Sequence, residues 1–281
     1  MLPIAEATVD TSRMGRISNT MNLARQSWEV LKADKELVAL PILSFVASSI
    51  VAATFVVPMF FIGEEPGALG YVVMFVMYVA LAFVTIYFNT ALVSAADERL
   101  QGGDPTIGTA LAGANRLLGR ILPWAVISAT VSIALRTLEQ RGGMFGRLAA
   151  GIAGLAWTLV TYLVIPIFVV EGLTVGNAVK RSAELFKRTW GENVAAQFGF
   201  GFLGFLLMIP GILAIVLGVF TGSGLAMGVA ILVGVLWMVA VSVVLAALNA
   251  IFQTALFHYA SNGKALGPYG QGALATAFRR K

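Results

Sequence analysis

The stretch NVAAQFGFGFLGFLLMIPGILAIVLGVFTGSGLAMGVAILVGVLWMVAVSVVLAALNAIFQTALFHYASNG, Asn193 to Gly263, contains no Asp, Glu, Lys or Arg. No water-facing surface can be assembled from such a run, yet one bilayer crossing takes only about 20 apolar residues in a helix. The segment Thr221-Gly222-Ser223-Gly224 is a turn signal and divides the run into two crossings. Outside it, Leu37–Gly63, Pro66–Ala96 and Leu148–Val170 are also charge-free and of spanning length, whereas Ile121 to about Leu138 is shorter and carries Arg136 near one end. Uninterrupted apolar runs suit helices, which satisfy their own backbone hydrogen bonds, and not the alternating strands of a barrel. The expectation is an all-α membrane protein of six transmembrane helices, at about 37–61, 70–95, 121–138, 148–170, 195–219 and 225–257. They form a single polytopic domain over 16–260, between a polar N-terminal tail (1–15) and a basic C-terminal tail (261–281) with a partial interfacial helix. Pro41, Pro58, Pro166 and Pro210 fall inside these spans and read as kinks.

Composition supports the same class. Of 281 residues 58% are hydrophobic and 12% charged, where soluble domains carry about 25% charge; the mean hydropathy is +0.87. The absence of cysteine excludes disulfides and thiolate metal sites. The start, MLPIAEATVDTSRMGRISNT, lacks the basic, apolar and small-residue order of a secretory signal, so the first apolar run is expected to be retained.

Six crossings put both termini on one side, and the cations can then be counted by side. Sixteen fall with the termini, on the N-terminal segment, the loops after the second and fourth spans, and the tail. Only Arg136, Arg141 and Arg147 fall opposite, which predicts cytoplasmic termini in a multi-pass plasma-membrane protein. The net charge of +5 is thereby largely accounted for by topology. Nucleic acid is not an expected partner, because the basic residues are dispersed among loops and form no basic and aromatic surface.

The chain repeats itself. Thr106-Ile-Gly-Thr-Ala-Leu111 after the second span matches Thr174-Val-Gly-Asn-Ala-Val179 after the fourth. Phe88-Asn-Thr-Ala-Leu92 matches Phe252-Gln-Thr-Ala-Leu256, and each is followed by a proline, Pro105 or Pro268, and then by TALAGANR or GALATAFR. The expected plan is three hairpins linked by amphipathic interfacial helices. Their apolar stripes are Ile17, Met21, Ala24, Trp28 and Leu31; Ile107, Leu111, Ala114, Leu118 and Ile121; and Val175, Val179, Ser182 and Phe186. Pro105, Thr106 and Thr174 supply helix starts, and Lys180–Glu184 and Glu184–Arg188 have the spacing of helical ion pairs. Membrane lipids, in particular anionic ones, are the expected partners, contacted by Arg25, Trp28, Lys32, Arg116, Arg120, Lys180, Arg181, Lys187, Arg188 and Trp190. A structural reading makes the same helices cuffs that tie one hairpin to the next.

SWEVLKADKELVALPILS (Ser27–Ser44), RLQGGDPTIGTAL and KRSAELFKRTWGE together resemble a widespread bacterial family of integral membrane proteins of unknown function, from about Arg16 to Val194. The resemblance implies a six-span plasma-membrane protein and carries over no catalytic or binding residue.

No reaction is written in the remaining residues. Gly199-Phe-Gly201-Phe-Leu-Gly204 has the letters of GxGxxG but lies inside a predicted span, where small residues, like Gly224, Gly228 and Gly234, favour close helix packing. His258 is the only histidine, which excludes a multi-histidine metal site, and it reads as an interfacial hydrogen-bonding group. Glu64-Glu65 and Asp97-Glu98 sit at span ends as solvated caps, with no partner acid or nucleophile evident. No catalytic residue, metal or cofactor is therefore assigned. The uncharged groups Asn89, Thr90, Thr161, Asn249, Gln253 and Thr254 lie toward the predicted cytoplasmic ends of even-numbered spans. They serve either interhelical hydrogen bonds or a shallow polar cavity open to the cytoplasm. The expected function is a non-enzymatic scaffold or lipid-associated protein, with a transporter or lipid-translocating protein using that cavity as the alternative.

Overall fold

The computed structural model describes residues 24–34, 36–62, 67–190, 198–264, 266, 267 and 269. The described residues form helices and connections without a strand: α1 (24–33), α2 (Glu36–Ile62), α3 (Ala68–Leu100), α4 (Ile107–Arg116), α5 (Leu118–Arg141), α6 (Gly143–Thr161), α7 (Val164–Val170), α8 (Val175–Trp190), α9 (Phe198–Phe220) and α10 (Gly224–Asn262). Five segments are long and apolar enough to cross a bilayer: α2, α3, α5, the α6–α7 pair and α10. Within α9 the shorter stretch Gly204–Phe220 is similarly apolar. Several expectations lie outside the described residues: Ile17 and Met21 of the first stripe, the Glu64-Glu65 pair, the Trp190 side chain, and the third repeat copy at 272–279.

α2 packs on α3, α5 on α6 and α9 on α10, while α3 also meets α4, α5, α7 and α10. Burial is lopsided along these helices. In α3 it is concentrated in Thr90–Leu100 and in α10 in Ala247–His258, and α7 is buried through Val164–Phe168. One face each of α1, α4 and α8 closes over the same end, here termed the base. Three long-range hydrogen bonds mark it. Ser27 Oγ lies 2.6 Å from Tyr269 Oη, the Ile107 N–H donates to Glu36 Oε2 at 2.7 Å, and Arg120 Nη2 donates to the Gly172 carbonyl at 2.6 Å. The opposite end is held differently. Met144, Phe145, Phe220 and Leu225 are 81–82% exposed there, and Leu69 is 73% exposed. Apolar exposure on this scale is tenable only when hydrocarbon replaces water around it. The molecule is a helical membrane protein.

The connecting helices show why stripe positions shift by a residue. α4 turns Ala110 and Ala114 inward and leaves Leu118, a stripe position just past its end, 40% exposed. α8 buries Ala178, Ser182 and Leu185 fully, with Val175, Val179 and Phe186 flanking that line. Small residues at the centre of the face let the helix axis approach the span ends; the larger ones wedge at its edges. α4 begins at Thr106, whose Oγ1 accepts from the Thr109 N–H at 3.1 Å while its own N–H donates to Thr109 Oγ1 at 2.9 Å, a reciprocal cap. On α1, Ser27, Val30 and Leu31 are buried and Trp28 is 40% exposed, with Lys32 Nζ 5.6 Å from its ring centroid.

α9 and α10 meet through missing side chains. A Cβ at Gly234 would come within 2.7 Å of the Gly211 carbonyl, one at Gly211 within 3.0 Å of the Gly234 carbonyl, and one at Gly218 within 2.3 Å of Ala230 Cβ. Gly224 and Gly228, read from sequence as packing residues, face open space, and Gly204 faces only Leu245. The close approach therefore depends on Gly211, Gly218 and Gly234. Gly234→Leu is expected to lower stability by about 1–3 kcal/mol through overpacking, and Gly228→Leu to be near neutral. Unfolding midpoints of the two variants in detergent titrations check the contrast.

Candidate functional site

The residues proposed for lipid contact separate into two groups. Arg25, Lys32, Arg116, Lys180, Lys187 and Arg188 are exposed at the base. Arg25 has Glu29 as its neighbour at 3.8 Å, and no ion pair forms between Glu184 and Lys180 or Arg188, so the pairs expected from spacing are not made. Arg120 and Arg181 are committed within the protein. Arg120 holds the Gly172 carbonyl at the end of α7, and Arg181 grips Glu171 through Nε and Nη2, each 3.2 Å from Oε1. These two arginines clamp the α7–α8 junction.

The six polar residues assigned to one cavity are not brought together. Thr90, Thr161 and Thr254 each donate to the carbonyl one turn back, at Ile86, Trp157 and Ala250. Gln253 serves a break in the fourth apolar segment. That segment is two helices, α6 and α7, interrupted at Tyr162 and Leu163. Pro166 has no N–H to offer the carbonyl four residues back, which is that of Tyr162. Gln253 Nε2 donates to that carbonyl instead, and the freed Leu163 N–H donates to Ser182 Oγ of α8 at 3.2 Å. Between α10 and α9, Trp237 Nε1 donates to the Leu207 carbonyl at 2.8 Å, one residue after the Leu206 carbonyl whose helical donor Pro210 removes. The backbone freed at the Pro166 break is thus satisfied by neighbouring helices.

Asn89 and Asn249 do share a space. A cavity of about 580 Å³ lies between α2, α3 and α10, with Ser44, Phe45, Thr85, Asn89, Val235 and Asn249 among its lining residues. Asn249 Oδ1 accepts from Tyr162 Oη at 3.1 Å. Toward the base the neighbouring residues Leu37, Leu40, Val93 and Ala96 are buried, whereas Phe45 is 52% and Val235 45% exposed. The cavity is therefore closed at the base and open sideways.

Two acidic groups that the sequence reading took for solvated or left aside are structural. Asp97 Oδ1 lies 2.6 Å from His258 Nε2, with side chains 16% and 9% exposed, and joins the end of α3 to that of α10. Neither residue is among those lining the cavity, and the contact ties the two helix ends together. Asp34 Oδ1 accepts from the Glu36 N–H at 3.2 Å and caps α2, while Oδ2 is buried without a partner among the described residues; burial pushes this carboxyl above its ordinary value. Asp34 and Glu36 meet the segment Pro105-Thr106-Ile107, distant in sequence, where Glu36 caps α4. The helix N-terminus favours that carboxylate. Among the described residues, no three His, Asp or Glu side chains converge as metal ligands.

Comparison with known proteins adds one finding. The profile of a family of unknown function, DUF6159, matches residues 68–267, from the start of α3 past the end of α10. The match leaves out Ser27–Ser44 and extends through the charge-free run. No curated protein and no solved structure matches the chain.

Gln253→Leu leaves the Tyr162 carbonyl without its partner and is expected to cost about 1–3 kcal/mol. Thr161→Val removes only a hydroxyl bonded within its own helix and should stay within about 0.5 kcal/mol of the parent. The order of the two unfolding midpoints, measured side by side, decides it.

Proposed function

The chain belongs to DUF6159, a family of unknown function, and from that premise we propose a six-span, non-enzymatic, lipid-associated protein of the plasma membrane with both termini in the cytoplasm. Parity supports six crossings. Ser27 and Tyr269 are hydrogen-bonded, so the chain enters and leaves the membrane on one side and crosses it an even number of times between them. Five segments are unambiguous in length, and α9, 23 residues long in all, supplies the sixth. Helices paired as α2–α3, α5–α6 and α9–α10 then form three hairpins, with α1, α4 and α8 along the base as interfacial helices. The base carries the many cations and the opposite end Arg136, Arg141 and Arg147, which favours the base as the cytoplasmic face.

The observation that carries the lipid reading is the division of α8. One face, Ala178, Ser182 and Leu185, is buried against the spans, and the other presents Lys180, Lys187 and Arg188 to the surroundings without ion-pair partners among the described residues. A cation placed at a membrane surface gains about 1 kcal/mol from anionic headgroups. Arg116 on α4 and Arg25 and Lys32 on α1 extend the same display. The transport alternative draws less support, because the cavity is closed toward the base and four of the six residues assigned to it bond elsewhere.

The cysteine-free chain allows a direct test of orientation. Gln140→Cys should react with an impermeant maleimide on intact cells, and Asn262→Cys only after permeabilisation; reaction of both from outside rejects the scheme. For the lipid reading, phosphatidylglycerol should stabilise the purified protein more than phosphatidylcholine does, by thermal unfolding. Lys180→Gln, Lys187→Gln and Arg188→Gln combined should remove most of that difference, and an undiminished difference rejects the role of α8.

A further inference from the structure

We propose that the groove between α2, α3 and α10 is a binding site for a neutral acylglycerol, with its acyl chain along α10 and its ester and hydroxyl groups at Asn89, Asn249 and Ser44. The cavity, about 580 Å³, falls within the roughly 300–1,000 Å³ of small-ligand sites. Its wall on α10 runs from Asn249 to Val235, about 21 Å at 1.5 Å per residue. One leaflet of a bilayer core is about 15 Å deep, so an acyl chain spanning it fits within the length of this wall.

Polar groups with unused capacity lie at the base end of this apolar groove. Asn249 uses its oxygen to accept from Tyr162 and keeps both amide hydrogens. Asn89 and Ser44 have no hydrogen-bond partner among the described residues, unlike Thr85 and Ser242 in the same wall, which donate to the Leu81 and Met238 carbonyls. An unpartnered amide among hydrocarbon is costly, and two amides and a hydroxyl lining one cavity call for a ligand that both accepts and donates. Ester carbonyls and glycerol hydroxyls do so.

The ligand is uncharged for two reasons. Among the described residues no Asp, Glu, Lys, Arg or His lines the cavity, so an ionic head would be desolvated without a countercharge from them. The buried layer of Leu37, Leu40, Val93 and Ala96 also closes the base end, where a phosphate head would have to pass. Entry is sideways, past Phe45 and Val235, from the bilayer where such lipids reside, and a second acyl chain can remain outside through the same opening. This assignment rests on α2, α3 and α10 crossing the membrane and is independent of the anionic surface proposed for α8.

The test uses the full chain in nanodiscs with a trace of photoactivatable diacylglycerol or of phosphatidylcholine carrying the same chain, and cross-linked peptides are mapped by mass spectrometry. Diacylglycerol should label α2, α3 or α10 about tenfold over phosphatidylcholine, and excess unlabelled diolein should remove the label where excess phosphatidylcholine does not. Asn89→Leu with Ser44→Ala should lower labelling roughly tenfold, the equivalent of one or two lost hydrogen bonds. Val239→Trp, which fills the groove without touching its polar end, should abolish it. Equal labelling by both lipids, or failure of diolein to compete in the unaltered protein, overturns the proposal. Either failure leaves the phosphatidylglycerol result untouched, so the two readings fall separately.

Discussion

Inside hydrocarbon a backbone N–H or C=O has no water to turn to, and this obligation organises the molecule more than any single side-chain contact. Regular helix meets it automatically; proline does not. At Pro166 the chain abandons helix for two residues, and the freed carbonyl and amide are taken up by Gln253 of α10 and Ser182 of α8. Next to Pro210 the indole of Trp237 adds a donor from α10 to the Leu207 carbonyl of α9. The polar residues of the spans are placed largely by these needs, which is why they do not gather into one cavity.

The two ends of the bundle use different means of cohesion. At the base, α4 and α8 bury Ala110, Ala114, Ala178 and Ser182 and α1 buries Val30 and Leu31 against the span ends; Glu36–Ile107 ties α4 to α2, and Asp97–His258 joins α3 to α10. Away from it, packing depends on close backbone approach, as at Gly211 and Gly234, while large apolar side chains point outward. Lipid solvates such side chains as well as protein does, so little is gained by burying them. The cavity lies between these regimes, where α2, α3 and α10 diverge beneath the closed layer.

Much of the architecture was legible because it is written locally. The charge-free run, the Thr221–Gly224 turn and the helix starts at Thr106 and Thr174 are each a few adjacent residues with a known conformational preference. The candidate site was legible only in part. Asn89 and Asn249 were identifiable as polar groups in apolar helices, but that they share a wall with Ser44 while Gln253 serves a carbonyl 91 residues away depends on helix rotation. The same limit explains the α8 stripe, whose centre lies at Ala178, Ser182 and Leu185: periodicity gives the face to within a residue, and packing chooses its midline. Asp97 read as a solvated cap, and His258 as an interfacial hydrogen-bonding group with no partner named, because nothing local records a contact 161 positions distant.

The Ser27–Tyr269 contact joins positions 242 residues apart. A ribosome delivers these residues at opposite moments of synthesis, so every helix between them must be inserted before the base can be sealed. α1 emerges early and waits at the membrane surface without its final neighbour. Assembly is for that reason not strictly vectorial, and a chain that stalls after α10 but before Tyr269 would carry all its crossings with the first helix still untethered.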